Sequence, residues 1–220
     1  MATQKAQRIG IWIIAIVLTV GTLAGFVAIV LAPKNQAADQ TKIAALTAQY
    51  QTAQADYQKK VDAQSASLST LYFADLNQYS TLPAAFNKDD VKSLTTQDLK
   101  VGDGADITAS STFSAYYIGW NPSGVVFDES ISGSTLKAPF SVTPGGVIQG
   151  WTDGTVGMKV GGIRELTIPS DKAYGATGSG ANIPANTPLK FVIMIIPTPD
   201  AIAQPAVPAE LEKYYTTGSL

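Results

Sequence analysis

The aromatic side chains and glycines spaced between Tyr116 and Phe191 describe a small apolar cup closed by a loop. In order they are YYIG (116–119), VVFDES (125–130), APF (138–140), GVIQGW (146–151), AYGATGSGANIP (173–184) and LKF (189–191). The 220-residue chain has no cysteine and no histidine. That removes disulfides, thiol nucleophiles, serine–histidine triads and most zinc sites, and leaves carboxylates, hydroxyls and apolar pockets to carry any chemistry. A cup of this material acts by stripping water from what it encloses and packing around it. The net charge of −2 argues against a broad basic surface for nucleic acid.

The elements that must position the cup are short strands. From Leu99 onward glycine becomes frequent and β-rich runs alternate with turns. VGDGADI begins a first turn and strand. TASSTFSAYYIGW places Phe113, Ala115 and Tyr117 on one face by period-two alternation, GGIRELTIP does the same for Leu166 and Ile168, and LKFVIMII is a largely apolar strand. The segment 151–160 is predicted as one short helix, weakened by Gly154 and Gly157. This is an α+β domain, an antiparallel sheet with one short helix, and its roughly 100 residues suffice for one core.

The N-terminal part differs in kind. Residues 9–32, IGIWIIAIVLTVGTLAGFVAIVLA, carry no charge, and about 36 Å of helix is enough to cross a hydrocarbon core of about 30 Å. The run is too long for a signal-peptide core and reads as a retained transmembrane helix in contact with the lipid bilayer. Lys5 and Arg8 precede it without an acid, which places residues 1–8 in the cytoplasm and the rest of the chain outside it. Gly21 and Gly25 form a G-x-x-x-G pair of the kind that lets membrane helices approach, and ordinary membrane-span glycine is the reading preferred for it. Residues 33–79 are predicted as a helical stalk, since 35–76 hold neither glycine nor proline. The apolar stripe Ile43, Leu46, Tyr50, Ala53, Tyr57 changes phase to Val61, Leu68 and Tyr72, short of a full coiled-coil repeat. Its readings are a solvated helix, a helix folded back on the domain, or a stalk pairing two chains as a homodimer. Residues 80–97 then form a linker with room for a first edge strand, 98–199 the globular domain, and 200–220 a tail that is loose or packed on the surface.

The six-part series of motifs resembles the FKBP-type peptidyl-prolyl cis-trans isomerases, here in a membrane-anchored bacterial form. The likeness runs from about Asp98 to about Ile196. It implies an FKBP-like antiparallel sheet wrapped on one short helix, behind a transmembrane helix and a long stalk. It also implies an enzyme that isomerises X-Pro bonds in proteins folding outside the cytoplasmic membrane, with proline-containing segments as partners and no cofactor or metal. Residue by residue, the resemblance makes Trp151 the floor of a proline pocket and Tyr117, Phe127, Phe140, Val147, Ile148 and Phe191 its walls. It gives Ile148 a backbone N–H and Tyr174 a hydroxyl for substrate carbonyls, adds Ile183 from the closing loop, and sets the Asp128 carboxylate near the reacting amide and the Tyr117 hydroxyl. Two departures stand out. Lys137 is the only cation in 129–139, where compact members often carry an arginine for the aspartate, and Ser179 and Asn182 make the loop more polar than usual.

The chemistry fits the residue set. An X-Pro amide must lose its conjugation to rotate, against a barrier of about 20 kcal/mol, and needs no covalent intermediate. The rival reading is a non-catalytic proline-recognising module or chaperone tethered to the membrane, and a third makes the stalk a structural spacer. The glycines of GATGSG do not form a phosphate loop, because no strand-to-helix context and no lysine accompany them.

Overall fold

Forty-two residues without glycine or proline form helix α1 (Gln36–Asn77), supported along its surface by pairs four apart such as Gln58 Nε2 donating to Asp62 Oδ1. The computed structural model describes residues 36–217. The expected cytoplasmic leader and transmembrane run lie outside the described residues, and among those described no helix is long and apolar enough to cross a membrane. Two units are formed: Gln58–Ala203, and the stretch ending at Tyr57 together with the chain from Gln204. In the latter, Ile43 of α1 and Leu211 are buried. Leu211 belongs to a C-terminal helix, Ala209–Thr217, whose first turn starts from the Pro208 carbonyl; the tail is thus partly helical.

The unit Gln58–Ala203 is built on an antiparallel sheet. Its strands are β1 (Thr95–Lys100), β2 (Phe113–Trp120), β3 (Val126–Glu129), β6 (Phe140–Val142), β7 (Ile163–Ile168) and β8 (Leu189–Ile196), in the order β1-β7-β8-β2-β3 with β6 also on β2. A small hairpin, β4 (Ile131–Ser132) with β5 (Thr135–Leu136), is inserted between β3 and β6. Within this unit the short helix α2 (Gln149–Thr155) packs on the sheet; the C-terminal helix already described, in the other unit, is α3. The first strand lies at Thr95–Lys100, earlier than VGDGADI, which is a loop joined by an isolated Asp106–Lys159 bridge to the turn before Ile163. The folded domain therefore takes in residues assigned above to the linker.

Both faces of the sheet are buried, and period two decides which residue goes where. Phe113, Ala115 and Tyr117 of β2, Leu166 and Ile168 of β7, and Leu189, Phe191, Ile193 and Ile195 of β8 share the face that carries α2. Tyr116, Ile118, Trp120, Ile163, Val192, Met194 and Ile196 form the opposite face, where Leu68, Tyr72, Phe73 and Leu76 of α1 pack on them. The stretch of α1 from Gln58 on is thus not a free stalk. It is the part of the apolar stripe after the phase change, Leu68 and Tyr72, that packs on the sheet. Leu76 is fully buried, which is worth about 2 kcal/mol. With Leu68 and Tyr72 spent on the sheet, this stretch does not offer them for pairing two chains.

Candidate active site

The floor of the cup depends on two missing side chains. Gly150 and Gly154 stand four apart on one face of α2. A Cβ on Gly150 would lie 2.2 Å from Ile168 Cγ2, and one on Gly154 would lie 2.8 Å from Leu166 Cδ1. Their absence lets α2 lie flat on β7. Trp151, set between them, is held against the sheet at 4 % exposure. The helix spans Gln149–Thr155 rather than 151–160, because Gly157 adopts φ +79° just after it. Packing against β7, not propensity, decides that Gly154 belongs inside it.

Around Trp151 the rings meet edge to face. Tyr117 and Phe191 each lie 5.3 Å from it between centroids, Phe140 lies at 6.0 Å, and Phe127 stands at 5.5 Å from Phe191. Such pairs contribute about 0.5–1.5 kcal/mol each beyond their burial. Gly119 makes room for the wall, since a Cβ there would sit 2.5 Å from Phe191 and 2.9 Å from Phe127. Val147, Ile148, Tyr174 and Ile183 belong to the same cluster. The structure therefore gathers every apolar residue singled out from the sequence.

At the rim, the Tyr117 hydroxyl donates to Asp128 Oδ2 at 2.5 Å. Burial first, and then this bond and the carboxylate's charge, push the Tyr117 phenol well above its ordinary range. The other carboxylate oxygen is 4.0 Å from Lys137 Nζ, with both side chains about half exposed, an ion pair too loose and wet to count for much. Lys137 instead donates to the Glu129 carbonyl at 2.7 Å. Asp128 is thus oriented by a phenol, without an arginine. Tyr174 is also shifted upward, by burial and then by the Asp128 charge. Ile148 is the N-cap of α2, and its carbonyl takes the Trp151 N–H. Among the described residues, no protein acceptor meets the Ile148 N–H and no protein partner meets the Tyr174 hydroxyl. Both remain open to a ligand.

The closing loop is tied by a bridge between Ser179 and Ile183, whose amide and carbonyl lie 2.7 Å apart. Gly178 is needed beneath it at φ +68°, where a Cβ would fall 2.4 Å from the Ile183 oxygen.

Three supporting residues escaped the sequence reading. Asn121 donates to the Asn182 carbonyl at 2.8 Å and accepts from the amides of Ser123 and Val125, joining the β2–β3 turn to the closing loop. Ser130 accepts from the Tyr117 amide through Oγ and donates its own amide to the Tyr117 carbonyl. Arg164 forks onto Asp98 of β1 and donates to the carbonyls of Gly154 and Val156 at the end of α2. The signal for Arg164 was present: it shares a strand face with Leu166 and Ile168, so alternation places a cation on the buried side.

A cavity of about 300 Å³ opens away from the cup, among Phe86, Asp90, Lys92, Thr95, Thr167 and Lys190. Lys190 is already paired with Glu165 at 2.8 Å and lies over the Phe86 ring. Its groups do not converge on a reacting atom.

The sequence model of the FKBP-type peptidyl-prolyl cis-trans isomerases matches residues 104–196. A relative called FK506-binding protein, from Neisseria meningitidis serogroup A, is 39 % identical over 106 residues, covering 47 % of this chain and 94 % of the relative. The chain belongs to the FKBP-type peptidyl-prolyl cis-trans isomerase family. FK506-binding protein 4 of Dictyostelium discoideum is 40 % identical over 102 residues, which are 46 % of this chain and 27 % of that longer relative. A solved peptidyl-prolyl cis-trans isomerase from Pseudomonas syringae is 29 % identical, aligned over 61 % of this chain and 92 % of its own, at a TM-score of 0.42. The matched FKBP-type segment begins at Gly104, downstream of α1 and β1.

Proposed function

We propose that this isomerase turns over X-Pro bonds in the cup floored by Trp151. The carrying observation is the conjunction of five edge-to-face rings with two open donors, the Ile148 amide and the Tyr174 hydroxyl, at one rim. The proline ring enters the cup and loses its water. Ile148 N–H and the Tyr174 hydroxyl hold the flanking carbonyls in a turn. The twisted amide, having lost its charge separation, is better suited to the apolar wall than the planar amide is, so the site favours the transition state over the ground state. Every tenfold of rate needs about 1.4 kcal/mol of that difference. Asp128, held by the Tyr117 phenol, keeps that polar hydroxyl turned to the rim, so that the floor presents only ring surface.

The uncharged run 9–32 supports the further reading that the chain is tethered to a bilayer by a single span, with residues 1–8 cytoplasmic. The isomerase domain then acts on proteins folding outside the cytoplasmic membrane. Carbonate-resistant retention in the membrane fraction, with the domain open to protease added to spheroplasts, is the expected result.

The test of the site is turnover of an Ala-Phe-Pro-type peptide by the chain and by its Phe127→Ala variant. Phe127→Ala opens the wall without removing the floor, and activity should fall by at least about tenfold in a folded protein. An active Phe127→Ala protein would overturn the cup assignment. A folded wild-type chain without turnover that still binds the peptide would point to a proline-recognising module.

A further inference from the structure

The hairpin β4–β5 separates the two segments that serve the rim. Its leading end is Ser130, which follows Asp128 and Glu129 and holds Tyr117 by two hydrogen bonds. Its trailing end is Lys137, whose amide donates to the Ser130 carbonyl at 2.8 Å and whose ammonium reaches the Glu129 carbonyl. What fixes the hairpin lies 67 residues away in sequence. Ser69 Oγ of α1 accepts the Leu136 amide at 2.8 Å, in a buried contact. Ser69 is 5 % exposed, and Leu136 is buried with the cluster on the sheet face that α1 covers.

We propose that Ser69 is a positioning residue for the isomerase site: α1, an element outside the matched family segment, pins the hairpin and thereby sets the Tyr117–Asp128 pair. The physical reason is the lack of alternatives. β3 and β6 flank only the ends of β2, at Ile118–Trp120 and Phe113–Ala115, so among the described residues the middle of β2 on that edge is held by Ser130. An error in the hairpin passes directly into Ser130 and from there into the backbone of Tyr117. Without Ser69 the Leu136 amide is left buried and unpaired, and the hairpin must shift to reach water. This inference rests on the reading that the cup is the reaction site.

The experiment compares Ser69→Ala, Ser69→Thr, Leu76→Val and Phe127→Ala in the whole chain, measuring melting temperature together with kcat and KM for an Ala-Phe-Pro-type peptide. Ser69→Ala should lower kcat by about tenfold with KM little changed, as expected when an oriented group is displaced rather than a binding surface lost. Ser69→Thr, which keeps the hydroxyl, should restore most of kcat. Leu76→Val loosens the same helix on the same sheet face without touching the Ser69–Leu136 bond, so it should lower the melting temperature while kcat stays within about twofold. A fully active Ser69→Ala, or equal loss of kcat in Ser69→Ala and Leu76→Val at equal loss of stability, would overturn the proposal. An inactive Phe127→Ala beside a fully active Ser69→Ala shows that this inference alone has failed, whereas an active Phe127→Ala shows that the cup reading has.

Discussion

The side-chain amide of Asn121 donates to the carbonyl of Asn182 at 2.8 Å, although 61 residues separate them. One residue thus holds both the turn after β2 and the loop that closes the cup, since its oxygen accepts the Ser123 and Val125 amides. Asn121→Ala should cost about 1–3 kcal/mol, because it removes three part-buried hydrogen bonds at once. Asn121→Asp keeps the acceptor for the turn but turns a carboxylate oxygen toward the Asn182 carbonyl in place of the donor. It should therefore speed hydrogen exchange at the Ser179 amide and raise KM for a proline peptide by about 2–10-fold as the loop must be ordered on binding. Unchanged exchange at Ser179 in Asn121→Asp would count against the clamp.

A methyl group at Gly150 sets two effects against each other. Alanine favours a helix over glycine by about 0.8–1 kcal/mol, but the added Cβ would lie 2.2 Å from Ile168, a side chain with no exposure. Overpacking of this sort costs about 1–3 kcal/mol, so the clash should win. Gly150→Ala is expected to lower the urea midpoint and to shift Trp151 fluorescence as α2 lifts from β7. Ile168→Ala in the same chain should relieve the clash, giving a double variant more stable than the sum of the two single losses predicts. Simple additivity would mean that α2 does not rest on Ile168.

Much of this was legible locally. Alternation placed Phe113, Ala115 and Tyr117 of β2 and Leu166 and Ile168 of β7 on one face, the apolar run LKFVIMII announced a strand, and the order of aromatics and glycines carried the cup, because these depend only on neighbours along the chain. What escaped depends on distant partners. The strand Thr95–Lys100 is an exposed edge with hardly any buried side chain, so no apolar alternation announces it. The phase change in α1 fits a solvated helix as well as a docked one until the sheet face with Tyr116 and Met194 is known to need a cover. Glycines that weaken α2 by propensity are the ones its packing requires. The Ser69–Leu136 and Arg164–Gly154 contacts leave no mark in sequence beyond a polar residue at a buried position.

Arg164 joins three elements, with Asp98 of β1 on one side of β7 and the carboxyl end of α2 on the other. Its planar fork meets both carboxylate oxygens at 2.6 and 3.1 Å while a third nitrogen serves two carbonyls. Lysine cannot reproduce that fork. Arg164→Lys should cost roughly 2–3 kcal/mol, the loss of charge-assisted bonds in a largely buried place. The check is urea unfolding with an unchanged slope and a lower midpoint, together with faster hydrogen exchange in the last turn of α2. A midpoint within error of the wild type would show that solvent already serves those carbonyls.

The Tyr116 hydroxyl is buried without a hydrogen-bond partner, beneath α1 and 6.2 Å between ring centroids from Tyr72. Tyr116→Phe removes an unpaired polar atom and keeps the ring, so it should leave stability at neutral pH unchanged or raise it by about 1 kcal/mol. Burial, and then Tyr72, push the Tyr116 phenol up from 10.0 to about 12. The folded chain therefore holds this proton where the unfolded chain has released it. Stability from this group is whole below pH 10 and is lost as pH rises toward about 12. With no histidine or cysteine in the chain to titrate near neutrality, urea midpoints should stay nearly flat from about pH 6 to 9 and then decline. Tyr116→Phe should make the alkaline decline shallower while Tyr117 and Tyr174, both also shifted upward, maintain the rest of it. If the variant loses stability at neutral pH and declines as steeply as the wild type, then the hydroxyl has a partner when the protein is in water.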